Sequence, residues 1–414
     1  MGEQLASAPL SGRSIDIGSF NLMSPPDDFV ADPYAYYAAL RVADPVFGNG
    51  DGSYILTRFD DLTAVYRDPA IWSSDKKVDF KPKFGDGPLY EHHTTSVVFT
   101  DPPDHERIRS LFQAAFTRKA LEALTPRINF LIDSYLDELE DRGEMDVVED
   151  FAFRLPIAIV CDMLSVPSQD RVLIRGWALA ILTALEPHLS REQLELGNQA
   201  VVDFKAYLRE LMAHRQTHPA DGSSGEILTA LMNAEKDGQK LTELELLHQC
   251  IFMLNAGHET STNMISHGVH EMLRCPGEIA RLREDPDLIG SCVEEVLRYQ
   301  APIQINNRRS MHRAEVGGVS LPAGTTVHLM IGAANRDPAQ FPDPDTFDIS
   351  RRPNRHLSFG LGLHVCVGNS LARIEAAIAF TKLFNRFPGL ALMGPAKIAD
   401  RIRFREVEEL RVAL

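Results

Sequence analysis

The chain has few cysteines, and they are poorly placed for cross-linking. Five occur in 414 residues, at Cys161, Cys250, Cys275, Cys292 and Cys366, odd in number and far apart. That spacing argues against a disulfide framework or a structural zinc site. It suits a reducing compartment, so a cytoplasmic location is expected. No stretch approaches the roughly 18 apolar residues that span a bilayer, so no membrane anchor is expected. The opening MGEQLASAPLSGRSIDIGSF lacks the apolar core of a secretory signal. Residues 1–15 are expected to be a disordered terminus. Basic residues are also scarce, with 42 Lys and Arg against 58 Asp and Glu and a formal charge of −16. Proteins that track phosphates need a basic surface, so nucleic-acid binding is not expected.

What remains is an ordinary globular composition, 44% hydrophobic and 24% charged. The strand-like pieces PVFGN and SYILTR stand near the start, with a helical pattern in PYAYYAALRV. After Asp101 helical patterns dominate, and GVSLPAG and TTVHLMI add small sheets late. The expected class is therefore mainly α with minor β sheets, in a single domain over 1–414. Asp104 to Phe116, announced by DPPD, reads as a helix, and so does Ile128 to Glu140. Its acidic continuation DELEDRGEMDVVED reads as a solvated face and turn. PADGSSGE (219–226) is the best linker candidate, taken as a loop between helices. The clearest element starts at Thr242, which forms a capping-box pattern with Glu245 ahead of a long apolar-periodic stretch. It stops at Pro276-Gly277 and spans roughly 50 Å at 1.5 Å per residue.

The middle of that helix, NAGHETSTN (255–263), carries a glycine and several polar or β-branched residues. Gly257 alone costs about 1 kcal/mol relative to alanine. One reading is a kink with side chains bonded back to the backbone. The other is a helix opened locally beside a ligand, with Glu259 and Thr260 as an acid–alcohol pair. Farther on, Glu295 and Arg298 share a helix face at i and i+3, and Arg351 offers a third charged partner.

FGLGLHVCVG (359–368) is the most specific stretch. Buried cysteines are usually small hydrophobes, and that reading suits the other four. Cys366 instead precedes the helical pattern VGNSLARIEAAIAFTKLF, where backbone N–H groups and the helix dipole favour a thiolate. Gly360, Gly362 and Gly368 clear the loop for a flat, bulky partner. A dinucleotide fingerprint lacks its third glycine here. A cysteine nucleophile would use His364 as base, but side chains two apart on a loop point apart as often as together. Axial haem ligation accounts best for a pattern that fixes six positions at once.

At this point the chain resembles the bacterial cytochrome P-450 family of haem-thiolate monooxygenases, on four motifs in order: DPPDHERIR (101–109), AGHET (256–260), EVLR (295–298) and FGLGLHVCVG (359–368). The resemblance covers essentially the whole length. It implies a triangular helical domain with haem (heme b, iron protoporphyrin IX) between the long helix and the cysteine loop. Cys366 would be the axial thiolate. His105, Arg109, Arg308 and His364 would face the propionates, with Phe359, Gly360 and Gly368 shaping the loop. Ala256, Gly257, Glu259 and Thr260 would lie over the distal face, with Thr260 and Glu259 delivering protons during oxygen cleavage. Glu295, Arg298 and Arg351 would form a structural triad. Asn255, Ile303, Ile305 and Phe404 are substrate-contact candidates by analogy. With only residues 367–414 after the cysteine, no fused reductase is expected. Electrons from NAD(P)H would come through a separate ferredoxin and its reductase, docking near Lys119, Arg107 and Arg373. The substrate would be a small organic molecule oxidised with O2. The rival functions are a peroxide-driven or coupling haem-thiolate enzyme and a non-enzymatic haem sensor. Neither rival explains the intact acid–alcohol pair.

Overall fold

The long helix forms where its capping box predicts. In the computed structural model, which describes residues 15–113, 116–218, 226–236 and 238–414, the Thr242 hydroxyl accepts from the Glu245 N–H at 3.2 Å. The Glu245 carboxylate accepts from the Thr242 N–H at 2.8 Å. The helix runs Glu243–Arg274 and ends where Pro276 opens the next helix, Pro276–Glu284. Buried residues occur on every side of it from Leu246 to Met272, as expected of a helix enclosed by others. It packs against Arg154–Met163, Arg171–Thr183, Arg191–Thr217, Ile289–Tyr299 and Asn369–Arg386. Except for Ile15, the expected disordered terminus lies outside the described residues, and so does the candidate linker up to residue 225.

Two expectations are revised. The helix read as Ile128 to Glu140 begins a decade earlier, as Arg118–Leu139, and continues through Pro126. A proline inside a helix costs about 3 kcal/mol. Burial of Leu121, Ile128, Leu131 and Ile132 on one face outweighs it, at about 1.5–3 kcal/mol each. The acidic stretch that follows is a solvated turn only over residues 140–143. It forms the strand Glu144–Asp146 and a π-helical turn Val147–Ala152, with Val147, Val148, Phe151 and Ala152 buried. The acids between them serve locally: Asp146 accepts from the Val148 N–H, and Asp150 pairs with Arg142 at 2.9 Å. The helix after DPPD is Asp104–Gln113, and residues 114 and 115 lie outside the described set.

The main sheet has five strands in the order Val46–Gly48, Tyr54–Leu56, Thr326–Met330, Ile305–Ser310, Trp72–Ser73. Only Tyr54–Leu56 and Thr326–Met330 pair in parallel. Side chains alternate across Ile305–Ser310, so Arg308 and Ile305 fall on opposite faces. Ile305 packs with Tyr36, Tyr37 and Leu40 of the helix Pro33–Ala43. Among the described residues, no helix is long and apolar enough to cross a membrane.

Candidate active site: the cysteine loop beneath the central helix

The loop is held from behind by charge. Glu295 and Arg298, fully buried on Ile289–Tyr299, meet at 2.7 and 2.8 Å. Arg351 reaches the same carboxylate at 3.2 Å, and the Asn354 amide donates to it at 3.0 Å. The remaining guanidinium donors bind backbone carbonyls: Arg298 those of Asn335, Pro344 and Thr346, Arg351 those of Pro342, Asp343 and Thr346. The triad expected from sequence thus fixes the segment that leads into the cysteine loop.

Within the loop, Gly360 and Gly362 have φ of +68° and +72°. A Cβ on Gly362 would lie 2.4 Å from the Tyr66 carbonyl oxygen. The Cys366 N–H donates to the Phe359 carbonyl at 2.9 Å and folds the loop back on itself. The helix Asn369–Arg386 then starts from Gly368, whose missing Cβ would meet open space. Backbone N–H groups of Gly368 and Asn369, with Arg109 and Arg373, draw the Cys366 thiol down; burial is larger and raises it. Yet Cys366 carries accessible surface. A side chain enclosed by protein and still accessible lies on the wall of an inner space.

Four groups converge on that wall. His105 and Arg109 come from Asp104–Gln113, Arg308 from the sheet and His364 from the loop. The two imidazoles lie 4.2 Å apart, and none of their four nitrogens has a partner. Burial and the neighbouring arginines hold His105 down to about 4 and His364 to about 2, so both are neutral near pH 7. Arg109 donates to the Val365 carbonyl at 2.6 Å, and Arg308 lies over the Tyr66 ring. Among the described residues no carboxylate forms an ion pair with either. Orphaned donors and unneutralised cations beside an accessible cysteine, with open space at Gly368, fit a flat group bearing two carboxylates. The haem expected from sequence is such a group.

Sequence reasoning missed two more cations here. Lys76 is 1% exposed, its ammonium 3.4 Å from Asp79. Burial and the nearby Arg308 and Arg403 outweigh that pair and hold it down to about 8. Arg403 is enclosed yet partly accessible, like Cys366, and its side chain has no hydrogen bond or ion pair among the described residues. The alternating RIRFR was the available signal.

On the central helix, Ala256 and Thr260 are half-buried one turn apart while Asn255, His258 and Glu259 are buried. They form the accessible face. The Thr260 hydroxyl donates to the Ala256 carbonyl at 2.8 Å, and the helix is unbroken. The back-bonded reading is the one observed, and the local opening is not. Gly257 is half-buried like Ala256 and Thr260, and it also serves packing: a Cβ there would lie 2.7 Å from a Val160 methyl, so its absence lets Arg154–Met163 approach. Glu259 points elsewhere again. It is 3% exposed and paired with Arg401, which also binds Glu186 at 3.1 Å and Glu406 at 2.5 Å. Burial pushes its carboxyl up to about 7 against the pull of Arg401. Arg401 is far from Glu259 in sequence, and the same RIRFR run was its only local sign.

The substrate candidates separate. Ile303 and Phe404 face each other across a β-bridge, and Asn255 is buried with an unpartnered carbonyl oxygen. Ile305 does not join them, because strand alternation sends it into the cluster under Pro33–Ala43.

The family model described as Cytochrome P450 matches residues 175–391. The chain is 38% identical over 395 residues to the biotin biosynthesis cytochrome P450 of Bacillus subtilis, covering 93% of this chain and 97% of that one. It is 36% identical to the 6-deoxyerythronolide B hydroxylase of Saccharopolyspora erythraea, over 88% of this chain and 91% of that one. Among solved structures it resembles P450BioI bound to a hexadecenoyl-ligated acyl carrier protein, with a TM-score of 0.88 and 36% identity. That match covers 94% of this chain and 99% of the other. It also resembles the myxobacterial CYP267B1 with myristic acid, at a TM-score of 0.85 and 36% identity, over 93% and 97%. With four ordered motifs, unpartnered histidines and unneutralised arginines beside Cys366 and full-length relatives all agreeing, the chain belongs to the cytochrome P450 family of haem-thiolate monooxygenases.

Proposed function

We propose that this protein inserts one atom of O2 into a small organic substrate, using NAD(P)H electrons that reach it in the cytoplasm through a separate ferredoxin and ferredoxin reductase. The observation that carries this reading is that the unpartnered His105 and His364 stand with Arg109 and Arg308 near the accessible Cys366, while Thr260 lies on the half-buried face of the central helix next in sequence to the ionisable Glu259. Haem bound there through Cys366 would supply the dioxygen activation. His105, Arg109, Arg308 and His364 would hold its propionates and fix its orientation. Thr260, with its oxygen over the accessible face, would hold a proton near the reacting oxygen, and Glu259 would resupply it. Ile303, Phe404 and Asn255 would border the substrate. A peroxide-driven enzyme or a sensor has no use for the Glu259–Thr260 pair, which is why both rank second.

The test is turnover with purified ferredoxin, its reductase, NADPH and a panel of organic acids and macrolides. The reading expects NADPH consumption matched by hydroxylated product. Turnover with hydrogen peroxide alone, and none with the electron-transfer partners, would favour the peroxide-driven rival.

One observation narrows the substrate class. Arg403 and the buried Lys76 leave a surplus of cations, which favours a substrate with a carboxylate. Two of the structural relatives above hold a fatty-acyl group or myristic acid. Myristic acid should bind about tenfold or more tightly than myristamide, read from the haem spin-state change. Arg403→Gln should erase that preference.

A further inference from the structure

The face of the central helix that carries Glu259 borders a hollow of about 30 Å³, separate from the cysteine loop. It is lined by Val148 and Phe153 near the π-helical turn, Arg175 and Leu179 of Arg171–Thr183, Glu406 and Val407 of the C-terminal hairpin (strands Lys397–Ile398 and Val407–Glu409), and four residues of the helix itself. Three of those four each leave a buried polar atom without a partner: Nδ1 of His258, Oε2 of Glu259 and Nδ2 of Asn263. Glu259 and Asn263 are each bound at their other side-chain atom. The Asn263 carbonyl oxygen accepts from the Val407 N–H at 3.0 Å, and the other Glu259 oxygen is bound by Arg401. The His258 ring stands edge-on to Phe153 at 5.1 Å.

Buried polar atoms are rarely left unpaired, and three around one hollow mark a place for solvent. The volume suits one or two waters, and two to four polar partners are what a buried water needs. Arg175, ion-paired with Glu149 at 2.5 Å and only partly buried, stands at the outer end.

We propose that this hollow holds a fixed water through which bulk protons reach Glu259 from the side of Arg171–Thr183 and the C-terminal hairpin, with His258 and Asn263 as its positioning residues. The proposal rests on the reading of Glu259 as the group that resupplies Thr260. The balance is simple: Glu259 releases one proton toward Thr260, the carboxylate takes one from the water, and the water regains it from bulk at the Arg175 mouth. No electron moves. His258 is held down to about 3 by burial and the nearby Arg175, so it stays neutral and orients the water without carrying charge. Arg401, Glu406 and Glu186 set the charge around Glu259 from the remaining sides.

The test is rapid-mixing infrared spectroscopy of the haem-loaded protein in D2O at about pH 6, below the raised Glu259 value. The carboxylic acid band that disappears in Glu259→Gln belongs to Glu259, and its isotope shift times the arrival of a bulk deuteron. Val148→Leu narrows the hollow from its wall, and His258→Phe removes one positioning atom. Both should slow the shift about tenfold or more, since exchange of a buried group follows the opening that exposes it. An unchanged Tm and an unchanged carbon-monoxide spectrum show that each variant is folded. Equal exchange in both folded variants overturns the route while leaving Glu259 as the proton donor. If the wild type has no band that Glu259→Gln removes, Glu259 is ionised at that pH, and the underlying proton-holding reading falls together with the route.

Discussion

Two glycines of the cysteine loop differ in what they forbid. At Gly360 a side chain would meet only ordinary contact, 3.7 Å from the His364 carbonyl, so Gly360→Ala should cost about 1–2 kcal/mol for its φ of +68°. At Gly362 the same strain adds to a 2.4 Å collision with the Tyr66 carbonyl, and backbone cannot step aside cheaply. Gly362→Ala should therefore be the worse variant by about 2 kcal/mol or more in urea unfolding. Equal losses would mean that the loop and Tyr66 move together. A second residue-scale prediction concerns Glu375, 1% exposed on Asn369–Arg386, whose carboxyl burial pushes up to about 8. A carboxyl raised on folding binds more protons in the native state. Its contribution is thus complete below the unfolded value of about 4.3 and is lost as pH rises toward 8. Glu375→Gln should flatten the fall of Tm between about pH 5 and pH 8, measured by calorimetry at both ends. An identical slope would show that Glu375 is not protonated in the fold. At this scale Cys366 and the Glu295–Arg298 pair were legible because their motifs are dense and local. Arg401, Lys76 and Arg403 were not, since the groups that give them meaning, Glu259 and Glu186 for Arg401 and Arg308 for the other two, are remote in sequence.

Elements were read well where local signals agree and poorly where tertiary burial overrides them. The capping box placed the start of the central helix at Thr242, and Pro276 its end. Pro126 misled, because the cost of one proline is smaller than the burial gained by four apolar side chains around it. The acidic run after Glu140 misled for a related reason: charged residues alternate there with Val147, Val148 and Phe151, and the apolar ones decide. The packing role of Gly257 was not legible, because it needs Val160 in view. The element on which the cysteine loop depends most is Ile289–Tyr299. Glu295→Ala leaves Arg298 fully buried without its carboxylate and should cost about 3–5 kcal/mol. Arg351 is closer to solvent, and Arg351→Ala should cost distinctly less. Chemical denaturation and haem retention after gel filtration check both. Equal costs would contradict the view that burial of the pair is what matters.

For the whole molecule, the net charge of −16 leaves little basic surface for an acidic electron donor. Of the three docking residues expected from sequence, Arg107 is tied to Glu245, and Arg373 is held by Glu294 at 2.5 Å. Lys119 is exposed, with no ion pair among the described residues. Lys119→Glu should therefore slow reduction by ferredoxin at low ionic strength, with the difference shrinking in salt. Stopped-flow reduction that is unaffected at both ionic strengths would place docking elsewhere.

Everything above depends on Cys366 as the iron ligand, and the absorption spectrum of the reduced, carbon-monoxide-bound protein tests that most directly. The account predicts a strongly red-shifted Soret band that Cys366→His abolishes while haem stays bound. A band at the position of histidine-ligated haem in the wild type, or no haem uptake on reconstitution, would contradict it.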